Sequence, residues 1–309
     1  MNHLQELIPR YLDFCRYQKR LDDKTLKAYR IDLRQFVGWA NEKEVMEVLN
    51  VSKEVLEEYI GMLHCDFKPK TVKRKLASLK ALFHYLEYEE MISVNPFNRM
   101  RVRFREPAIL PKTIPLFVVE ALLATMYQEY EGARTEYRKK IVLRDIAVIE
   151  VLFATGMRIS ELCALTLAVV DMREGTILIY GKGAKERRIQ IGSDAVMAIL
   201  EKYVTTYREG IQKNGFFFVN QAGAPISDQS IRRMIRRYTA QAGISMHITP
   251  HMFRHTFATS LLDAGVDIRY IQAMLGHSSI HITEIYTHVT MAKQRDILAT
   301  KHPRSQFCF

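Results

Sequence analysis

Cysteine is scarce in this sequence and carries no pattern. Cys15, Cys65, Cys163 and Cys308 lie far apart, with no CxxC spacing. That excludes a disulfide framework and a zinc ribbon. No apolar run reaches bilayer length either. The longest, Ile146 to Ala154, is interrupted by Glu150, whereas a spanning helix needs about 20 apolar residues. Glu6, Arg10 and Asp13 fall inside the first apolar pattern, so the N-terminus does not read as a secretory signal. An internal repeat and a low-complexity tract are missing, and the three segments that carry the chemistry offer neither a carboxylate pair nor a nucleotide-binding loop. Acid is also short: 34 Asp and Glu stand against 45 Lys and Arg, a net charge of +11. The expectation is a soluble cytoplasmic protein with no cofactor, no metal and no membrane partner. The basic balance favours a polyanion such as nucleic acid.

What is present suffices for two domains. The 309 residues are 48% hydrophobic, and domains usually hold about 100–200 residues. The first hundred residues carry helical periodicity. Leu4, Leu7, Ile8, Tyr11 and Cys15 share one face. Asp22 or Asp23 is placed to cap a second helix carrying Leu26, Tyr29, Leu33, Phe36 and Val37. Ser52 precedes a third with Val55, Tyr59 and Leu63, and a fourth runs from Thr71 with Val72, Leu76, Leu79, Phe83 and Leu86. Asn95-Pro96 then ends the helical region, and Pro107, Pro111 and Pro115 keep the next stretch extended. The remainder is mostly helical with one β signal. Thr176–Tyr180 and Arg188–Ile191 flank Gly181-Lys-Gly-Ala-Lys185 as a hairpin, and Gly215–Val219 reads as a short buried strand or core segment. The expected fold is therefore mainly α with a small β-sheet. Its parts are a helical domain at 1–98, a basic linker at 99–112 and a second domain at 113–309.

Three basic runs stand out. The fourth helix carries Lys68, Lys70, Lys73, Arg74, Lys75 and Lys80 with no acid until Glu87. The linker alternates Arg99, Arg101, Arg103 and Arg105. A helix after Ser227 sets Arg232, Arg233, Arg236 and Arg237 opposite Ile231, Met234, Ile235 and Tyr238. Any one run reads equally well as a solvated face. Three of them, one per domain and one between, fit a duplex clamped by two domains.

The chemistry gathers in three later segments. They are Ala154-Thr-Gly-Met-Arg158-Ile-Ser-Glu161, Thr249-Pro-His251-Met-Phe-Arg254-His255, and Leu275-Gly-His277 through Tyr286-Thr-His288. A phosphoryl transfer builds negative charge on non-bridging oxygens, and a metal-free site must meet it with fixed cations. Arginine suits this best, because its planar fork binds two oxygens and stays charged. Arg158 and Arg254 are the candidates. His251 lies one turn before Arg254, at a helix start with Thr249 as cap and Pro250 in the first position. Tyr286 is the candidate nucleophile, given cationic neighbours and a base, and the hairpin lysine Lys182 the candidate acid for the leaving oxygen. Singly, each residue has an ordinary structural reading: Tyr286 in a core, Lys182 solvated, His251 and His277 as helix caps, Arg158 in an ion pair with Glu161.

The three segments, in order and at this spacing, resemble the tyrosine recombinase (phage integrase-like) family, and the whole chain is similar to its compact Xer type. The resemblance implies an N-terminal four-helix, SAM-like DNA-binding domain and a C-terminal catalytic domain of the DNA breaking-rejoining fold. It implies that Arg158 and Arg254 bind the phosphate, with His251 beside them. His277 bonds a non-bridging oxygen, and Tyr286 forms a 3′-phosphotyrosyl link resolved through a Holliday junction. Lys182 is preferred over Lys185 as the acid because it holds the family's Gly-Lys-Gly position, and Glu161 is a supporting acid. His281 and Glu284 depart mildly from the pattern. The partner implied is double-stranded DNA with inverted-repeat half-sites, bound by a homo- or hetero-tetramer, with or without a paralogous recombinase. Lys70, Lys73, Arg74, Lys80, Arg101, Arg103, Arg232, Arg233 and Arg236 are the expected DNA contacts. The tail, with a helix over Met291–Ala299 and an apolar end at Phe307-Cys-Phe309, is expected to dock on a neighbouring protomer.

Three rivals are weighed against this. A zinc hydrolase would use His247, His251 and His255, with His277, His281 and His288 also available, but Pro250 breaks the helix between the first two, Arg254 would set a cation beside the metal, and no Glu sits between His251 and His255. A type IB topoisomerase shares the chemistry but needs no tetramer. A catalytically inactive DNA-binding relative would lack some of these side chains. Within the recombinase reading, resolution of chromosome dimers stands beside integration or excision of a mobile element and promoter inversion.

Overall fold

The computed structural model describes residues 3–100, 112–180, 186–276 and 291–307, which form two compact units on either side of the proline-bearing stretch. The N-terminal unit holds four α-helices: α1 (Leu4–Tyr17), α2 (Asp23–Glu42), α3 (Lys53–Asp66) and α4 (Pro69–Tyr88). Each start has a chemical cause. Asp22 accepts the Thr25 N–H at 2.9 Å, Ser52 accepts that of Val55 at 3.4 Å, and Pro69 opens α4 two residues ahead of the expected start. The apolar stripes meet in one core around Tyr11, Phe36, Tyr59 and Phe83, as the periodicity requires. One detail departs from the sequence reading. Lys75 of the α4 basic run is buried, and its Nζ reaches Asp32 at 3.3 Å. Arg74 pairs with the same carboxylate, which also accepts Ser78 Oγ at 2.8 Å. A buried Asp on α2 has to be neutralised, so two of the cations in that run first serve the fold.

The C-terminal unit is built round one helix. It comprises α5 (Leu116–Glu131), α6 (Glu136–Thr155), α7 (Ile159–Cys163), strands β1 (Val170–Asp171), β2 (Thr176–Tyr180) and β3 (Glu186–Gln190), then α8 (Asp194–Thr206), α9 (Arg208–Asn214), α10 (Asp228–Gln241), α11 (Pro250–Asp263), α12 (Ile268–Leu275) and α13 (Met291–Lys301). From Ile141 to Thr155, α6 is buried almost without interruption, with α5, α8 and α11 packed on it. It carries two buried acids, and each is paired. Asp145 accepts Arg144 at 2.6 Å and Arg237 at 2.9 Å; Glu150 accepts Arg304 at 2.8 Å and Tyr127 Oη at 2.7 Å.

The hairpin is present, antiparallel, with Ile177 opposite Ile189. Its second strand begins two residues earlier than expected, and β1 adds a third strand that the sequence did not announce. Gly215–Val219 is a buried core segment, bridged singly at Phe216 and Val219, not a strand of that sheet.

In this single chain the tail packs on its own unit, the alternative to docking on a neighbouring protomer. Ile297 and Leu298 are buried, and a Cβ on Gly192 would lie 2.7 Å from the Ala299 nitrogen. Arg304 closes on Glu150, His302 Nε2 meets the Phe153 carbonyl at 2.8 Å, and Phe307 stacks on Phe153. Among the described residues no helix is long and apolar enough to cross a membrane.

Candidate active site

The site starts where α6 stops. Gly156 ends the helix in the left-handed region, at φ +59°, and a Cβ there would lie 2.7 Å from the Phe257 ring. Only glycine meets both conditions. The turn delivers Arg158 to the cap position of α7. Three residues on, Glu161 folds back: its carboxylate accepts the Arg158 N–H at 2.7 Å and Arg158 Nη1 at 2.8 Å. The ion pair named as the ordinary reading of Arg158 therefore exists. It does not bury the arginine, whose side chain stays 36% exposed.

Arg254 reaches the same place from α11. Pro250 occupies the first helical position as expected, but Thr249 caps only through its backbone: its carbonyl accepts the Met252 N–H and its hydroxyl makes no capping bond. Arg254 lies one turn inside and is buried. Nη1 donates to the Gly156 carbonyl at 2.9 Å and Nη2 to that of Leu275 at 2.7 Å. Burial, then the charges of Arg158 and Arg187, lower its pKa to about 10, which leaves it a cation at neutral pH. His251, exposed at the helix start, is pulled below the usual histidine value by partial burial and by Arg232, His255, Arg254 and Arg158. It is therefore neutral near pH 7, with a lone pair that can take a proton.

Arg187 was not anticipated. It lies on β3, nearly buried, with Nη1 and Nη2 donating to Glu161 at 3.1 and 2.7 Å and Nε donating to the Met274 carbonyl at 2.9 Å. Burial alone would raise the Glu161 carboxyl; the bonds from Arg187 and Arg158 outweigh it and lower the pKa. The signal was available. Strand period two puts Arg187 on the face of buried Ile189. Beside Lys185 and Arg188 it reads instead as one more surface cation.

Two arginines thus hold the last carbonyls of α12, the negative end of that helix. Gly276 follows at φ +65°, where a Cβ would lie 2.9 Å from Arg187 Cδ. Arg158, Glu161, His251 and Arg254 are brought together. Lys182, His277 and Tyr286 lie outside the described residues, as do Arg101 and Arg103. Arg232, Arg233 and Arg236 are exposed along α10, and Arg232 is near enough to act on His251. Lys70, Lys73, Arg74 and Lys80 are exposed along α4. For the zinc reading, His247 lies in the loop before Pro250. Among the described residues no group of three or more His, Cys, Asp or Glu is arranged to hold a metal.

Residues 114–293 match the phage integrase family, and residues 8–90 match its N-terminal SAM-like domain. The chain belongs to the phage integrase family. A tyrosine recombinase of Agathobacter rectalis is 56% identical to this family member over 309 residues, all of both chains. The tyrosine recombinase XerC of Halalkalibacterium halodurans is 33% identical over 96% of each. The fold of this integrase-family chain is also that of the XerH site-specific recombinase solved with its difH substrate in a pre-cleavage complex. There the identity is 21%, the TM-score 0.69, and the match covers 92% of this chain and 82% of XerH. The arginine and histidine cluster is thus the candidate active site of a tyrosine recombinase of Xer type.

Proposed function

We propose that this tyrosine recombinase exchanges DNA strands at specific sites, with Tyr286 as the nucleophile. The observation that carries the reading is the cation cluster. Arg158 and Arg254, from different helices, converge with a neutral histidine, and Arg158 still offers guanidinium donors to solvent. A phosphodiester seated there meets two fixed cations in a partly desolvated place, where each counts for more than in water. The Tyr286 oxygen attacks phosphorus and the bond to the 5′-oxygen breaks. Lys182 supplies the proton to that oxygen, His251 takes the proton from the tyrosine side, and His277 bonds a non-bridging oxygen. A 3′-phosphotyrosyl link and a free 5′-hydroxyl result. Because the phosphodiester energy is kept in that link, a 5′-hydroxyl from another strand reverses the step. Two rounds, separated by a Holliday junction, exchange both strand pairs.

The substrate is double-stranded DNA with inverted-repeat half-sites, held by four protomers in the cytoplasm. The first unit binds the core site, residues 99–112 link, and the second unit cuts. Lys70, Lys73, Arg74 and Lys80 of α4, the linker's Arg101 and Arg103, and Arg232, Arg233 and Arg236 of α10 meet phosphates. The decisive experiment is covalent capture on a library of nicked duplexes. Wild-type protein forms a DNA adduct and Tyr286→Phe does not; equal adduct from both overturns the reading. On the sequence so recovered, crossover products support a recombinase, and relaxation without crossover would point to a type IB topoisomerase.

A further inference from the structure

Arg187 has no part in the strand-transfer chemistry set out above, yet it reaches across the site. Its three contacts join three elements: β3, which carries it, Glu161 on α7, and the last turn of α12. The Glu161 carboxylate has about four lone-pair directions. It receives four N–H groups, two from Arg158 and two from Arg187. Charge counting then decides what each arginine is free to do. With Glu161 alone, Arg158 forms a neutral pair and has little net attraction for a phosphate. With Arg187 added, the trio carries one positive charge. Arg187, 9% exposed, is closed off by the protein, whereas Arg158, 36% exposed, is not. The surplus charge is therefore expressed at Arg158.

We propose that Arg187 is a positioning residue for strand cleavage: it neutralises Glu161 so that Arg158 stays available to the scissile phosphate, and it ties the end of α12 to β3. The inference rests on the assignment of Arg158 to the phosphate. Geometry supports the second half. A Cβ on Gly276 would come within 3.2 Å of Arg187 Nη1, so the chain passes directly over the guanidinium one residue before His277. Lysine cannot replace it, since one ammonium cannot span a carboxylate and a carbonyl with a planar fork.

The test is single-turnover cleavage of a nicked duplex carrying the half-site recovered by covalent capture, with DNA affinity measured beside it. Arg187→Gln is expected to slow adduct formation about 30-fold or more while affinity changes less than about threefold, since a lost orienting cation acts on the transition state. The double variant Arg187→Gln/Glu161→Gln removes the carboxylate charge that Arg187 balances and is expected to regain about tenfold of the rate. A purely structural role predicts the opposite, with losses that add. Arg187→Lys, which keeps the charge and guards against a misfolded glutamine variant, is expected to fall between wild type and Arg187→Gln. Wild-type cleavage by Arg187→Gln, or a double variant slower than either single one, overturns the proposal. Arg158→Ala run alongside separates the two readings: if it also cleaves normally, the site assignment fails, not only the role of Arg187.

Discussion

Among the carboxylates of the C-terminal unit that meet arginine, Glu150 and Glu161 end in opposite states. Glu150, in the middle of α6, is fully buried. It takes three contacts from Arg304, which is closed to solvent, and one from the half-buried Tyr127 Oη. Burial works against the Arg304 cation, but the bonds to Glu150 outweigh it and raise its pKa. Nothing remains for a ligand to use. Glu161, just beyond the end of α6, is shared between two arginines, one of them open to water. The closed pair holds the tail in place. The open trio keeps a cation in reserve. The same residue types give a fastening in one place and the proposed phosphate site in the other, and the difference lies in how many cations meet each acid and which of them solvent reaches.

The comparison can be broken most sharply at the open end. Arg158→Ala and Arg254→Ala should each lower covalent adduct formation about 10³-fold, the scale of removing a transition-state donor. Arg158→Ala should leave urea stability within about 1 kcal/mol, because that side chain is part-exposed. Loss of folding in Arg158→Ala would mean that the trio, too, is a fastening. At the closed end the balance reverses. Glu150→Gln should cost about 3 kcal/mol in urea unfolding, since it leaves the Arg304 charge buried and unpaired. Glu161→Gln should cost less, about 2 kcal/mol, because water reaches Arg158 although Arg187 is left nearly buried without its carboxylate. Equal losses would erase the distinction.

The tail carries its own pH signature. His302 lies within the protein against the Phe153 carbonyl, and burial lowers its pKa to about 4. The unfolded chain binds that proton near pH 6.5, the folded chain only near 4. The stability that comes from keeping it neutral is therefore present above pH 6.5 and is lost as pH falls to about 4. The span is about 3 kcal/mol, read as the change in urea midpoint between pH 7 and 4 in wild type against His302→Gln. A smaller expected effect is Gly276→Ala, which forces a side chain into φ +65° against Arg187 and should cost about 1–2 kcal/mol together with slower cleavage. The smallest is Arg232→Ala. With that cation gone, His251 protonates more readily, and the acid limb of the cleavage rate should move up by about a few tenths of a pH unit.

Much of this was legible beforehand because it depends on local spacing. The stripe Leu4, Leu7, Ile8, Tyr11 and Cys15 requires a helix with one buried face whatever lies opposite. Asp22, Ser52 and Pro250 mark helix starts through bonds made within one turn. The arginines of α10 face outward because Ile231, Met234, Ile235 and Tyr238 take the inner face. The motif residues Arg158, Glu161, His251 and Arg254 could be named because their types and order carry the chemistry. Other features depend on which distant groups meet. Lys75 reads as one of six like cations, and only packing of α2 on α4 brings Asp32 to it. Arg187 reads as a loop cation until α7 and α12 are folded against β3. Arg304 and His302 look like the polar end of a tail until Glu150 and the Phe153 carbonyl appear beneath them. By itself, then, the sequence determined the helices and the family and named the candidate reacting side chains, since these follow from periodicity and from residue chemistry. Tertiary structure alone decided which cations are spent on buried acids and which stay open to solvent, because a charge's partner is set by distance in space and by exclusion of water.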